Sequence, residues 1–372
     1  MKREAEAPLL ALLLLTALVG PAAAQSTFPP DSAIRALVRA RMEASHSAGV
    51  VIGLLEPDGR TRFLVEGTAG PGRTLDAESV FEIGSITKVF TGTLLAEMVQ
   101  RGEVALADPV AKHLPASVRV PSRNGQEITL ERLALQNSGL PRLPGNLRPA
   151  SMANPYADYT VAQLYEFLNE YQLPRAPGES YEYSNLGGGL LGHVLALRAA
   201  TGYEELVRQR ILEPLGMTST AITLTPALRT RLVAGHNALG DTVPPWDLPT
   251  LAGAGALRST AVDLLRFAAA ALRGQGPVPS ALRMAMAPRA PAGPMTIGLL
   301  WQRLAVNRRA AGEASTDTIV WHNGGTGGFR TFLGLSPRAG RAVVVLTNTG
   351  GAGLDDVGFR LLDPALPPGP PR

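Results

Sequence analysis

The sequence predicts an α+β fold: one antiparallel sheet assembled from both ends of the chain, flanked by terminal helices, with a mostly helical lobe packed against it. Three observations predict it. Strand-like segments cluster near residues 50–66 and again near 319–348, while the stretch between them reads as helices broken by proline and glycine loops. At 372 residues and 45% hydrophobic composition, the chain has apolar material for one large core or two intimate lobes. A cleft between two such lobes is a common place for a catalytic site.

Taken in order, Lys2 and Arg3, the apolar run Leu9 to Val19 and the small residues Ala22-Ala23-Ala24 before Gln25 form the pattern of a cleavable export signal over residues 1–24. The run is shorter than the ~20 apolar residues that span a bilayer. The alternative is a buried N-terminal helix. The expected location is therefore periplasmic or secreted, with no stable membrane span. Asp31 to Ser45 reads as a helix with Ile34, Leu37, Val38 and Met42 on one face. Val50 to Glu56 and Arg60 to Glu66 read as strands joined at Asp58-Gly59, a strong hairpin signal. Ile319 to His322, Arg330 to Leu335 and Ala342 to Asn348 read as further strands, and a short helix follows near Leu354 to Leu362. The division expected is a single domain over 25–363, with a sheet lobe at about 31–80 and 290–363 and a helical lobe at about 81–289. Residues 364–372 form a proline-rich tail expected to be disordered.

Composition removes several functions. There is no cysteine, so disulfides, thiolate nucleophiles and cysteine zinc sites are excluded. The five histidines show no HExxH spacing, so no metal is expected. The net charge is +4, and the arginines are scattered rather than concentrated as in a nucleic-acid binder. No GxSxG elbow, Walker loop or dinucleotide fingerprint occurs.

The strongest chemical signal is Phe81-Glu82-Ile83-Gly84-Ser85-Ile86-Thr87-Lys88, leading into an apolar helix that Arg101 and Gly102 close. Ser85 sits at the helix start and Lys88 three residues on projects from the same face. Free N–H groups at a helix N-terminus favour a developing oxyanion, and a lysine in an apolar cleft loses its proton readily. The alternative is a capping serine and a surface lysine. Only three lysines occur in the chain, which makes a chance Ser-x-x-Lys uncommon.

Tyr183-Ser184-Asn185 follows, before Gly187-Gly188-Gly189. A tyrosine beside a lysine can have a depressed pKa and act as a base, and an asparagine two residues on in an extended segment points the same way. Alone this pair reads more simply as a packed tyrosine and a loop asparagine. Finally, His322-Asn323-Gly324-Gly325-Thr326-Gly327-Gly328 places glycines at a strand end, where a backbone N–H could complete an oxyanion hole or merely form a flexible loop.

These three elements in this order resemble the class C β-lactamase superfamily of serine hydrolases, which includes D-Ala-D-Ala carboxypeptidases, endopeptidases and esterases. Arg101-Gly102-Glu103 to Asp108-Pro109, Ile128-Thr129-Leu130 with Ser138-Gly139-Leu140-Pro141, Glu213-Pro214-Leu215-Gly216-Met217 and Ser259-Thr260-Ala261-Val262-Asp263 extend the likeness over about residues 31–362. The resemblance implies the β-lactamase/transpeptidase-like fold and assigns roles. Ser85 would attack the carbonyl, Lys88 and Tyr183 would share proton transfer, and Asn185 would hold the acyl amide. Backbone N–H groups of Ser85 and Gly325 would form the oxyanion hole, and water would release the acyl group with Tyr183 as base. Which of Lys88 and Tyr183 deprotonates Ser85 stays open. No metal or organic cofactor is implied, and the partner is a small-molecule β-lactam or a peptidoglycan peptide, met by a monomer.

Two departures matter. Class C enzymes carry Lys-Thr-Gly where this chain has His322-Asn323-Gly324, and a tyrosine over the site where it has Ala254 or Gly255. A histidine of ordinary pKa, about 6.5, is mostly neutral at pH 7. The expectation is thus a more open, less charged pocket, with His322 strengthening anion binding as pH falls. The Arg119-Val120-Pro121 and Asn124-Gly125 run is similar to the wall-peptidase branch. Three functions compete: a β-lactamase or wall DD-peptidase, a carboxylesterase using the same residues, and a non-catalytic penicillin-binding or scaffold protein. Relative turnover of nitrocefin, D-Ala release and p-nitrophenyl esters separates the first two; covalent β-lactam labelling rejects the third.

Overall fold

The run Gly-Val-Val-Ile-Gly-Leu-Leu over Gly49–Leu55 has no polar residue because both faces of this strand are covered. The computed structural model describes residues 26–366 apart from 311–312 and 352. The expected export signal at 1–24 and the tail residues 367–372 lie outside the described residues. The strands of the main sheet are β1 (Gly49–Leu55), β2 (Thr61–Gly67), β3 (Ala290–Ala292), β4 (Met295–Ile297), β5 (Gln302–Ala310), β6 (Glu313–Gly325), β7 (Arg330–Ser336) and β8 (Arg341–Thr347). Their spatial order is β2-β1-β8-β7-β6-β5-β4-β3, with antiparallel pairing throughout. The first strand therefore pairs with the last, Val50 opposite Thr347 and Leu55 opposite Ala342. Gly59 takes φ +97°, the left-handed geometry that the first hairpin turn requires.

Strand alternation sorts the core. Val50, Ile52 and Leu54 of β1 and Val343 and Val345 of β8 face outward beneath two terminal helices, α1 (Asp31–Ser45) and the helix Asp355–Leu362. Val51, Leu55, Val344 and Leu346 face inward to the larger core. Ile34 and Val38 of α1 are buried there and Leu37 and Met42 partly so, the face that the periodicity predicts. Leu366, in the segment expected as a free tail, also packs on this outer cluster.

Helix α2 (Thr87–Gln100) is buried on every side from Thr87 to Met98. A helix without a polar face belongs in the middle of a domain. It ends as its sequence dictates, with Arg101 as C-cap and Gly102 at φ +70°. Against it lie α3 (Asn185–Arg198) and the helix Pro277–Met286. One helix from the segment expected to build the helical lobe, α4 (Ala261–Arg273), instead covers the inner sheet face, with Leu265 filling the space beside Gly53. Thr260 caps it, its hydroxyl accepting from the Asp263 N–H at 3.1 Å. Phe90 stacks on Phe267 at 4.2 Å between centroids, tying α2 to α4. Strands β3 to β5 and the first half of β6 are additions to the sheet read from sequence. No helix among the described residues is long and apolar enough to cross a membrane.

Candidate active site

Gly84 begins the site. Its φ of +50° lets the chain turn from the short strand Phe81–Glu82 into a 3-10 turn, Gly84–Ile86, that runs directly into α2. A side chain at Gly84 would lie 2.6 Å from the Gly325 nitrogen, so only glycine lets the nucleophile turn rest against the end of β6. Ser85 follows, partly exposed, and Lys88 occupies the first turn of α2, completely buried. The Lys88 ammonium donates to Ser85 Oγ (3.0 Å), Asn185 Oδ1 (2.9 Å) and the Ala254 carbonyl oxygen (2.7 Å). All three of its donors are used. Burial, with the Arg142 charge adding to it, pushes the Lys88 pKa well below its ordinary 10.5. A side chain at Gly188 would stand 3.1 Å from Lys88 Cε, and one at the next glycine, Gly189, would stand 2.7 Å from Leu251.

Tyr183 and Asn185 reach the site on a sharper path than the extended segment expected. Ser184 caps α3, accepting from the Gly187 N–H at 2.8 Å, so Asn185 is already the first helical residue. Its backbone N–H and that of Leu186 donate to the Arg142 carbonyl at 3.0 and 3.2 Å. Two cations stand over the Tyr183 ring: Lys88 Nζ at 4.9 Å and the Arg142 guanidinium at 5.0 Å. The depressed phenol expected from the neighbouring lysine is not what the surroundings produce. Burial raises the Tyr183 pKa, and a hydrogen bond with Ser85 offsets only part of the rise. Desolvation outweighs the nearby charge, and the phenol keeps its proton.

His322 needs a larger correction. It is 2% exposed, behind the cavity wall, with its ring 6.1 Å from Tyr183. Its Nδ1–H donates to the Asn323 carbonyl oxygen at 2.6 Å, and burial with the Lys88 charge pushes its pKa down to about 3. A central strand turns alternate residues inward, and at His322 the neighbouring side chains close over the ring. His322 is absent from the cavity lining, where a substrate carboxylate could reach it, and burial holds it neutral near pH 7. Asn323, Gly324 and Gly325 do line the cavity, the Asn323 amide donating to Asp355 Oδ2 at 2.6 Å.

The cavity in front of Ser85 measures about 470 Å³. Its wall holds residues that sequence reading missed. Tyr156 and Trp246 pack edge to face at 5.5 Å and supply the aromatic surface absent from Ala254 and Gly255. The buried Glu82 accepts from the Trp246 backbone N–H at 2.7 Å and faces Arg258 at 3.4 Å, which fixes that wall from behind. Arg142 and Arg330 also line the cavity, so the less charged pocket expected from the sequence is instead a cationic one. Arg142 directly follows the Ser138-Gly139-Leu140-Pro141 match, a position that could have flagged it; Tyr156 and Trp246 had no local signal. Among the described residues no cluster of histidine or carboxylate side chains could hold a metal ion.

The fold is that of a known class. The sequence matches the Beta-lactamase family over residues 34–365, and the chain belongs to that family. It is 29% identical to the D-alanyl-D-alanine-carboxypeptidase/endopeptidase AmpH of Escherichia coli (strain K12) over 359 residues, 91% of this chain and 90% of that protein. Penicillin-binding protein 4 of Amycolatopsis lactamdurans is 28% identical, with 76% of this chain and 75% of that one covered. A solved structure of a β-lactamase/D-alanine carboxypeptidase from Pseudomonas syringae shares the fold, with a TM-score of 0.77 at 22% identity over 91% of this chain and 99% of that one. The expected α+β class and the resemblance to the class C β-lactamase superfamily both hold.

Proposed function

We propose that the protein is an exported serine hydrolase that opens β-lactams or cleaves D-Ala-D-Ala wall peptides through an acyl-enzyme on Ser85. The observation that carries this reading is a fully buried Lys88 whose ammonium lies 3.0 Å from Ser85 Oγ with its proton affinity depressed. Once neutral, Lys88 keeps its two hydrogen bonds to Asn185 and Ala254 and has a lone pair for the Ser85 proton. Ser85 Oγ then adds to the substrate carbonyl carbon, and the oxyanion faces the Ser85 and Gly325 N–H groups. Tyr183, kept protonated by burial, passes its proton to the departing nitrogen or oxygen and recovers one from the Lys88 ammonium. The carbonyl–leaving-group bond breaks and the acyl group stays on Ser85. Water adds by the reverse proton path and frees the serine. Lys88 is thus the base in acylation and Tyr183 the relay.

Intact-protein mass spectrometry after incubation with benzylpenicillin tests this. The expected result is one added penicilloyl mass on the wild type and none on Ser85→Ala; an adduct that survives Ser85→Ala removes the assignment. The neutral, buried His322 favours a second reading, carboxylesterase, because it removes the strand cation that would hold an anionic substrate. Values of kcat/KM for nitrocefin, D-Ala release and a p-nitrophenyl ester decide between the two, and ester cleavage alone selects the second.

A further inference from the structure

A second cavity, of about 250 Å³, shares no lining residue with the one before Ser85. It lies between the end of α3, the turn at 201–203 and the segment 249–253. No lysine, arginine, aspartate or glutamate lines it. Two polar side chains on its wall keep bonding capacity. His193 spends Nε2 on the Tyr165 hydroxyl at 2.8 Å, and its other ring nitrogen has no hydrogen-bond partner among the described residues. Burial lowers the His193 pKa, so the ring is neutral at pH 7. The Thr201 hydroxyl also lacks a partner among the described residues.

The cavity wall is bonded to the groups that hold Lys88. The buried Tyr203 hydroxyl donates to Thr91 Oγ1 at 2.7 Å, and Thr91 donates to the Gly253 carbonyl oxygen at 2.8 Å. The next residue, Ala254, supplies the carbonyl that accepts from Lys88 Nζ. Gly253 meets α3 backbone to backbone, since a side chain there would stand 2.9 Å from Gly192 Cα. No side chain lies between the two backbones to absorb a displacement.

We propose that this cavity binds a neutral single-ring aromatic molecule carrying one hydroxyl, and that its occupancy slows acylation of Ser85. A dry cavity of about 150 Å³ accommodates benzene, so this one has room for a ring and a small substituent. Walls without charge exclude ions, and His193 or Thr201 takes the hydroxyl. A guest pressing on Gly253 shifts the Ala254 carbonyl, and with it the amine that must reach Ser85 Oγ. The slowing rests on the Ser85 acyl-enzyme proposed above; the binding does not.

The probe is 4-fluorophenol, with fluorobenzene as the partner that lacks the hydroxyl, each followed by fluorine NMR against the full chain. The expected Kd for 4-fluorophenol is roughly 1 mM, as suits so few atoms, and fluorobenzene should bind several-fold more weakly. Gly202, at φ −72° and with open space around an added side chain, allows Gly202→Trp to place an indole at the cavity rim without strain. Leu197, 41% exposed, offers Leu197→Trp as a second block. Both variants should lose the probe. Penicilloyl adduct formation, followed by mass spectrometry over a range of benzylpenicillin concentrations, gives the limiting rate and the half-saturating concentration. Saturating 4-fluorophenol is expected to lower the limiting rate roughly 5-fold or more at unchanged half-saturation, and to leave Gly202→Trp unaffected. Absence of binding, or binding retained in both tryptophan variants, overturns the proposal. So does a raised half-saturation at constant limiting rate, which marks occupancy of the Ser85 cavity instead. Equal affinity for the two probes overturns the hydroxyl assignment, and binding with an unchanged limiting rate overturns the coupling. If no adduct forms even without the probe, the acyl-enzyme falls while the NMR titrations still decide the cavity.

Discussion

Burial of one lysine sets the sign of the pH dependence. Lys88 must be neutral to accept the Ser85 proton, so kcat/KM falls as pH drops through its pKa, with the limb centred below 10.5. Arg142 adds a like charge that disfavours the ammonium; Arg142→Ala is therefore expected to move this limb to higher pH for a neutral ester. A limb that stays in place or moves down contradicts Lys88 as the base. His322, at about 3, contributes no limb between pH 5 and 8, which replaces the rise in anion binding expected from its sequence position. Ser85, Lys88, Tyr183 and Asn185 were legible because their spacing along the chain carries the chemistry. Arg142, Tyr156 and Trp246 were not, because loops from three separate segments bring them to the cavity. Sequence gives the alternation of a strand, yet not how deeply its inward side is covered, and that depth is what neutralises His322.

At the scale of elements, two helical glycines separate function from stability. Replacing glycine by alanine in a helix normally stabilises by roughly 0.5–1 kcal/mol. At Gly358 the added methyl would stand 2.2 Å from the Phe332 ring, and overpacking costs about 1–3 kcal/mol, so the melting temperature should fall. At Gly188 the methyl would meet only the Lys88 stem at 3.1 Å, which can shift by a few tenths of an ångström. Gly188→Ala should therefore fold with nearly unchanged melting temperature and lose roughly 10-fold or more in kcat through the displaced amine. Calorimetry and steady-state kinetics on both variants check the pair; the opposite pattern would refute it. Element ends were well marked where caps are chemical: Gly102 after α2, Thr260 before α4, Asp58-Gly59 in the first hairpin. Strand β5 was missed because its polar run, Gln302-Arg303 and Asn307-Arg308-Arg309, carries little apolar alternation, and its pairing with β6 rather than local propensity makes it a strand.

For the whole molecule, the site exists only when four distant segments meet: the nucleophile turn at 84–88, Tyr183-Ser184-Asn185, the Ala254 carbonyl and the end of β6. Global acid stability has an identifiable contributor. The Asp108 carboxylate accepts from Lys112 Nζ (2.7 Å), the Ala105 N–H (2.9 Å) and His113 Nε2 (3.1 Å), which hold its pKa at about 2. A carboxylate depressed by folding stabilises above its unfolded pKa of about 3.9, and that stabilisation is lost as pH falls from there toward 2. Asp108→Asn should therefore melt lower than the wild type at pH 6, with the gap closing by pH 2; a gap independent of pH would show that the charge is irrelevant.

The pairing of β1 with β8 has a consequence for synthesis. A ribosome delivers Val50 almost three hundred residues before Thr347, its partner, so the first hairpin emerges with the β1 edge bare and, although α1 precedes it and can cover the outer face, with an inner apolar face that nothing yet covers. The native contact order is accordingly high, and folding cannot finish until translation nearly has. A polypeptide that is late to close is one that a premature stop codon would leave sticky rather than merely inactive.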